Sequence, residues 1–192
     1  ARLESHIVAD QVELVDASPH FGLLSLQGPK TETTLASLGL TLPEDPHAHR
    51  KAGQPELDEW YLMRNDRLGQ VGCDLYVPTP QLVDAAKGLA EAVEEQGGGL
   101  AGWLATETIR IEAGIPRFGA EMNQNTLPPE ANIESRAISY SKGCYIGQEI
   151  IARIRTYGKV NRTLIGYRLD ATLAESVTPG TYPVSYTHLT LP

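Results

Sequence analysis

Gln70-Val71-Gly72-Cys73-Asp74-Leu75-Tyr76-Val77 is the run whose reading decides the fold. With a period of two, Val71, Cys73, Leu75 and Val77 share one face, the pattern of a strand packed on one side. Cys73 is then a small core residue. Just upstream, Asn65-Asp66-Arg67-Leu68-Gly69 has turn chemistry and Glu59 to Arg64 supplies a partner strand, so the two form a hairpin. Just downstream the period changes. Leu82, Ala85, Ala86, Leu89 and Val93 make one stripe of a helix over Pro80 to Glu95, ended by Gly97-Gly98-Gly99. Further back, Phe21 to Leu26 reads as a strand. Gly28-Pro29 punctuates it, and Thr31 to Leu38 reads as a helix ending at Gly39. Leu42 to Asp58, with Pro43, Pro46, Gly53 and Pro55, reads as loop. A further strand near Gly99 to Trp103 completes the order of a ferredoxin-like split βαβ unit, and the class is α+β. Ahead of this unit, Ile7, Ala9, Val12 and Leu14 predict one or two strands over His6 to Val15, broken near Asp10-Gln11.

A chain of 192 residues holds one large or two small domains, and 41% hydrophobic residues suffice for a packed core. The net charge of −8 argues against a general affinity for nucleic acid. Cys73 and Cys144 are too few and too far apart for a disulfide framework and fit a reducing compartment. No apolar run approaches the ~20 residues of a membrane span, and no signal or transit pattern opens the chain. His47 and His49 stand in the loop with no further ligand cluster, so they read as solvated and no metal site is expected.

The second half carries the chemistry. Thr106 to Ala113 is a strand by the alternation of Ile109 and Ile111. It is a helix by Thr106 as cap, Gly114 as stop and Pro116 beyond. Phe118 to Ser139 is a long irregular connection, usually a sign of function or disorder. Then comes Lys142-Gly143-Cys144-Tyr145-Ile146-Gly147-Gln148-Glu149, followed by Ile150 to Arg155, a helix stopped by Gly158. Cys144 is placed just ahead of a helix N-terminus with Lys142 two residues away, and both favour a thiolate. Gly143 and Gly147 permit close backbone approach. Cys144 is either a buried cysteine beside a tight turn or a partly exposed thiol. In the latter role it would exchange disulfides, be oxidised reversibly or transiently hold a soft metal. One cysteine cannot by itself hold an iron–sulfur cluster, which usually takes about four thiolates. Tyr145 packs in the core or stacks on a ligand. Gln148 and Glu149 open the helix. Arg153, Arg155, Lys159 and Arg162 form a basic run, a solvated face or a docking stripe. Val160 to Leu169 alternates as a strand.

Lys142 to Glu149 resembles the signature of the YgfZ-type folate-binding proteins, relatives of the glycine-cleavage T-protein, an aminomethyltransferase. Ile111-Glu112-Ala113-Gly114-Ile115-Pro116-Arg117-Phe118-Gly119, Asp74-Leu75-Tyr76-Val77-Pro78 and the Gly28-Pro29 turn carry the same resemblance, which runs from Val8 to Asp170. It implies a T-protein-like folate-binding fold and favours the helix at Thr106 to Ala113. The expected layout is a remnant of an N-terminal folate-binding subdomain over 1–20 and the ferredoxin-like unit over 21–103. A folate-binding segment with the signature follows over 104–158, then the truncated start of a C-terminal β-barrel over 159–184. Residues 185–192 are expected to be a non-native tail. With no initiator Met, the chain is expected to be a fragment.

The resemblance further implies tetrahydrofolate as cofactor. Glu112 would accept the adjacent N–H and amino groups of the pterin, as a carboxylate does in bidentate pairs. Arg110 and Arg117 are weaker candidates for the folate's glutamate tail. Lys142 and Cys144 would form the reactive centre, with Gly143, Tyr145, Gly147, Gln148 and Glu149 as cofactor-binding signature positions. The implied role is a non-enzymatic accessory factor for assembly or repair of iron–sulfur clusters in client enzymes, including a tRNA-modifying one. The alternative is a tetrahydrofolate-dependent aminomethyltransferase. Expected partners are folate and iron–sulfur clients, without membrane or direct nucleic-acid binding. The expected location is the bacterial cytoplasm, or the mitochondrial matrix in a eukaryote.

Overall fold

The computed structural model describes residues 4, 7, 11–54, 57, 59–158, 160 and 162–168. The chain divides into two compact units, Ala1–Ala120 and Glu121–Pro192.

The first unit is a mixed α/β layer. Strand β1 is Phe21–Gln27, followed by helix α1, Thr31–Ser37. Strands β2 (His49–Lys51), β3 (Tyr61–Arg64) and β4 (Gly72–Pro78) come next. A short 3₁₀ turn at Thr79–Gln81 leads into α2, Leu82–Glu95, and α3 is Trp103–Glu112. The sheet order is β1-β4-β3-β2, with every neighbouring pair antiparallel. β1 and β3 therefore run parallel with β4 between them, and α1 lies on the connection between the two.

Register places Leu24, Leu75 and Leu62 side by side across three strands, with Leu26 beside Cys73. These side chains meet Leu35 of α1, and Leu82, Ala85, Leu89 and Val93 of α2 pack against the cluster. Leu35, Leu62, Cys73 and Val77 are fully buried. Burial, and then the neighbouring Asp74 charge, push the Cys73 thiol up to about 12, so it is an inert core group.

The opposite face of the sheet holds a buried ion. Asp74 is 0% exposed, and its carboxylate is fully engaged. Ser25 Oγ donates at 2.8 Å and Asn65 Nδ2 at 2.7 Å. Arg67 donates from Nε at 2.9 and 3.0 Å and from Nη2 at 2.7 Å. Gln27 braces the same turn, donating to the Asn65 carbonyl at 2.9 Å and accepting from the Arg67 amide at 3.0 Å. One carboxylate thus joins β1, β4 and the turn between β3 and β4.

Several sequence expectations are corrected. The segment read as loop at Leu42 to Asp58 contributes β2, an edge strand whose hydrogen-bonding partner is β3. The closing strand expected at Gly99 to Trp103 does not form, because 99–102 are irregular and Trp103 opens α3. The α3 segment is helical, and it begins at Trp103 rather than at a Thr106 cap. Thr106 instead donates its hydroxyl to the Trp103 carbonyl at 2.7 Å. Residues 11–17 are irregular, which removes the strand expected around Val12 and Leu14; the earlier half of that expectation lies largely outside the described residues.

In the second unit, α4 is the single turn Glu134–Ala137 and α5 is Gln148–Tyr157. The strand expected at Val160 to Leu169 is absent from the described residues there. That segment docks by a Leu164 amide on the Glu130 carbonyl at 2.8 Å, and Asn132 Nδ2 donates to the Leu164 carbonyl at 2.8 Å. The rest of the expected barrel start and the tail lie outside the described residues. No helix among the described residues is long and apolar enough to cross a membrane.

The Asp74 network yields a test. Asp74→Ala leaves the Ser25 hydroxyl and the Asn65 amide without their acceptor. It is expected to cost about 3 kcal/mol in urea unfolding, at the low end for a broken buried pair because Arg67 can turn to water.

Candidate functional site

Helix α3 ends at Glu112 in a Schellman motif. The Gly114 amide donates to the Ile111 carbonyl at 2.9 Å and the Ile115 amide to the Arg110 carbonyl at 2.8 Å. Gly114 has φ +68°, a conformation that disfavours any side chain, which accounts for glycine in Ile-Glu-Ala-Gly. α1 and α2 end with the same pair of bonds, at Gly39-Leu40 and Gly97-Gly98. Glu112 is exposed on the last turn of α3.

Beneath that turn lies a charged clamp that sequence reading did not single out. Glu107 accepts from Arg110 Nε at 2.8 Å and Nη2 at 2.6 Å, and from Arg117 Nε at 3.0 Å and Nη2 at 3.1 Å. Arg110 is only 6% exposed and also donates to the Ile115 carbonyl at 3.1 Å. Arg117 lies over the Trp103 ring at 5.2 Å. The two guanidinia hold the Glu107 carboxyl down to about 2, Arg110 contributing most. The Glu107–Arg110 spacing of three was visible in the sequence. The return of Arg117 across the turn was not.

The signature segment belongs to the second unit. Gly147 takes φ +90° and sits at the N-cap of α5. Tyr145 and Gln148 bond reciprocally: the Tyr145 amide donates to Gln148 Oε1 at 3.1 Å, and the Gln148 amide to the Tyr145 carbonyl at 3.3 Å. Lys142 Nζ lies over the half-buried Tyr145 ring at 4.9 Å. Cys144 is a free, exposed thiol, so the buried-cysteine reading does not hold. Gly143 and Glu149 are also exposed. A cavity of about 360 Å³ opens beside this segment, lined by Leu127, Pro128, Ile138, Lys142, Tyr145 and Ile150 among others.

Arg155 of the basic run stacks on Tyr140 at 3.8 Å. The Tyr140 hydroxyl donates to Glu134, and that bond raises the phenol above its ordinary value. Arg153 and Arg162 are exposed, and Lys159 lies outside the described residues.

A cleft of about 800 Å³ on the outer sheet face of the first unit is lined by Phe21, Tyr61, Tyr76, Met63 and His49 with 15–18. Phe21 and Tyr61 meet edge to face at 6.0 Å. None of the residues singled out as a site lines it. Its signal was the second phase of each strand's alternation, masked by the stronger core phase. Among the described residues no group of acidic, histidine and cysteine side chains could hold a metal ion.

Two outcomes follow from α3. Gly114→Ala is expected to destabilise by about 1 kcal/mol, read as a lower denaturant midpoint. The Glu107 carboxyl lies below its usual value of 4.5 when folded, so its stabilisation is present above about pH 4.5. It is lost as pH falls toward about 2. Glu107→Gln should therefore flatten the fall of the thermal midpoint across that window.

The comparisons with known proteins agree with this architecture. The family described as the GCVT N-terminal domain matches residues 1–142. The chain is 34% identical over 166 residues to an aminomethyltransferase of Symbiobacterium thermophilum, covering 82% of this chain and 43% of the relative. It is 28% identical over 165 residues to the tRNA-modifying protein YgfZ of Yersinia pseudotuberculosis, covering 85% and 46%. Among solved structures it resembles the glycine cleavage system aminomethyltransferase T from Bartonella henselae. That match has a TM-score of 0.50 at 25% identity and covers 59% of this chain and 30% of that one. The chain thus spans less than half the length of these curated relatives. With residues 1–142 matched, the chain belongs to the GCVT N-terminal domain family.

Proposed function

We propose that the protein binds tetrahydrofolate, with Glu112 as the acceptor for the pterin. We further propose that it serves as an accessory factor for iron–sulfur client enzymes through the Cys144 thiol. The observation that carries the folate part is Glu112 itself. Within a chain of this family, its exposed carboxylate stands on a helix end locked by Gly114 and the Glu107 clamp. A carboxylate accepts side by side from the N–H and amino group of a pterin, a charge-assisted bidentate pair. Membership of the family supports folate as ligand, and the iron–sulfur clients rest on the Lys142 to Glu149 resemblance. The exposure of Cys144 supports a thiol that meets partners rather than one that fills a core. Arg110, committed to Glu107 and the Ile115 carbonyl, supports the turn in this reading, and Lys142 holds the Tyr145 ring. Gly143, Gly147, Gln148 and Glu149 shape the segment that presents Cys144.

A second reading, transfer of a one-carbon unit to tetrahydrofolate, is favoured by relatives that are named aminomethyltransferases. Cys144 separates the two, since that transfer requires no thiol.

Titration calorimetry on the full chain is expected to show saturable tetrahydrofolate binding. Glu112→Ala should lose it while circular dichroism stays unchanged. Removing a charged acceptor from a bidentate pair is expected to weaken binding by about thirtyfold or more. No binding by the unsubstituted chain sinks the folate reading. Cys144→Ser should keep folate affinity and abolish support of client-enzyme activity. Undiminished client activity in that variant would turn the assignment toward the transferase.

A further inference from the structure

We infer that Glu107 is a positioning residue for the Glu112 carboxylate, a role that rests on the folate reading above and deepens it. The two acids stand on the same helix and have opposite surroundings. Glu112 is exposed at the C-terminal end of α3, where the negative end of the helix dipole disfavours an acid. Helix ends fray, and a last turn carrying such a charge has added reason to do so. Glu107 sits inside the same helix end, its side chain 18% exposed, and accepts four hydrogen bonds from two arginines.

The arginines reach Glu107 from the two sides of the turn. Arg110 comes from α3 itself and also holds the Ile115 carbonyl at 3.1 Å. Arg117 comes from beyond the turn, two residues after Ile115, and is backed by the Trp103 ring at the start of the helix. Residues 113–117 are therefore tied to α3 at Ile115 and at Arg117, and Glu112 is the last helical residue before them. Without the Glu107 charge the two guanidinia face each other across the turn with like charge. The two charge-assisted bonds from Arg117 to Glu107 are then weakened, and the turn that fixes the direction of Glu112 loosens. Glu107 touches no ligand in this account and acts through the helix end.

The test uses the full chain with two probes, tetrahydrofolate and tetrahydropterin, the latter lacking the tail. Glu107→Gln and Arg117→Ala are the variants. Arg117→Ala leaves the Glu107–Arg110 pair in place and carries the test if Glu107→Gln fails to fold. Both variants are expected to weaken both probes by the same factor, about tenfold, as loss of charge-assisted hydrogen bonds implies, with circular dichroism unchanged. A purely structural role would lower the thermal midpoint without moving tetrahydropterin affinity. Unchanged affinity for both probes overturns the inference and leaves the folate reading standing. Weakening confined to tetrahydrofolate also overturns it, since Arg117 would then be meeting the tail. No binding of either probe by the unsubstituted chain overturns the folate reading and the inference with it.

Discussion

A carboxylate buried in the middle of a sheet is the constraint on which the first unit depends. Asp74 lies on β4, one of the two inner strands, fully removed from solvent, and would be untenable there without partners. Its partners come from β1, from Asn65 at the end of β3 and from Arg67 in the tight turn before β4. Satisfying it fixes the strand pairing, since a slip of one residue would turn Asp74 into the apolar layer and Cys73 and Leu75 out of it. The helices then have one face to cover. Leu35 and Leu89 can meet the sheet only where Leu24, Leu62 and Leu75 are level with one another.

The same device recurs, at smaller scale, where function is proposed. Glu107 is an acid held by two arginines, and it organises a turn as Asp74 organises the turn before β4. In both places an anion is bound by a guanidinium that folds back from a loop. In both, backbone that would otherwise vary is held by directional, charge-assisted bonds. The second unit has a related motif with aromatic rings as the receivers. Lys142 rests on Tyr145, and Arg155 rests on Tyr140, which bonds Glu134. Such contacts orient a segment without burying it, in keeping with an exposed Cys144 between Lys142 and Tyr145.

What was legible in the sequence was local. β4 and α2 declare themselves because their periods of two and 3.6 are uninterrupted and each ends in turn chemistry. The helix at α3 was ambiguous by period, since Ile109 and Ile111 alternate, and its Gly114 stop proved the better guide. What escaped was set by distant partners. β2 is three residues long and exists because β3 offers an edge to it. A strand near Gly99 to Trp103 is what a split βαβ order calls for, but Trp103 opens α3 instead. The burial of Asp74 depends on Ser25, and the Glu107 clamp depends on Arg117, each far along the chain or across a turn. Of the proposed site, Glu112 and Cys144 are exposed. The aromatic cleft of Phe21, Tyr61 and Tyr76 belongs to the outer phase of strands whose alternation is dominated by the core phase.

The central claim is that Glu112 receives the pterin of a folate. A crystal structure of the full chain grown with tetrahydrofolate tests it most directly. The account predicts the pterin N–H and amino group within hydrogen-bonding distance of the two Glu112 carboxylate oxygens, with the Glu107–Arg117 clamp intact beneath. A pterin seated elsewhere, against Phe21 and Tyr61 for example, with Glu112 left in solvent, would contradict it.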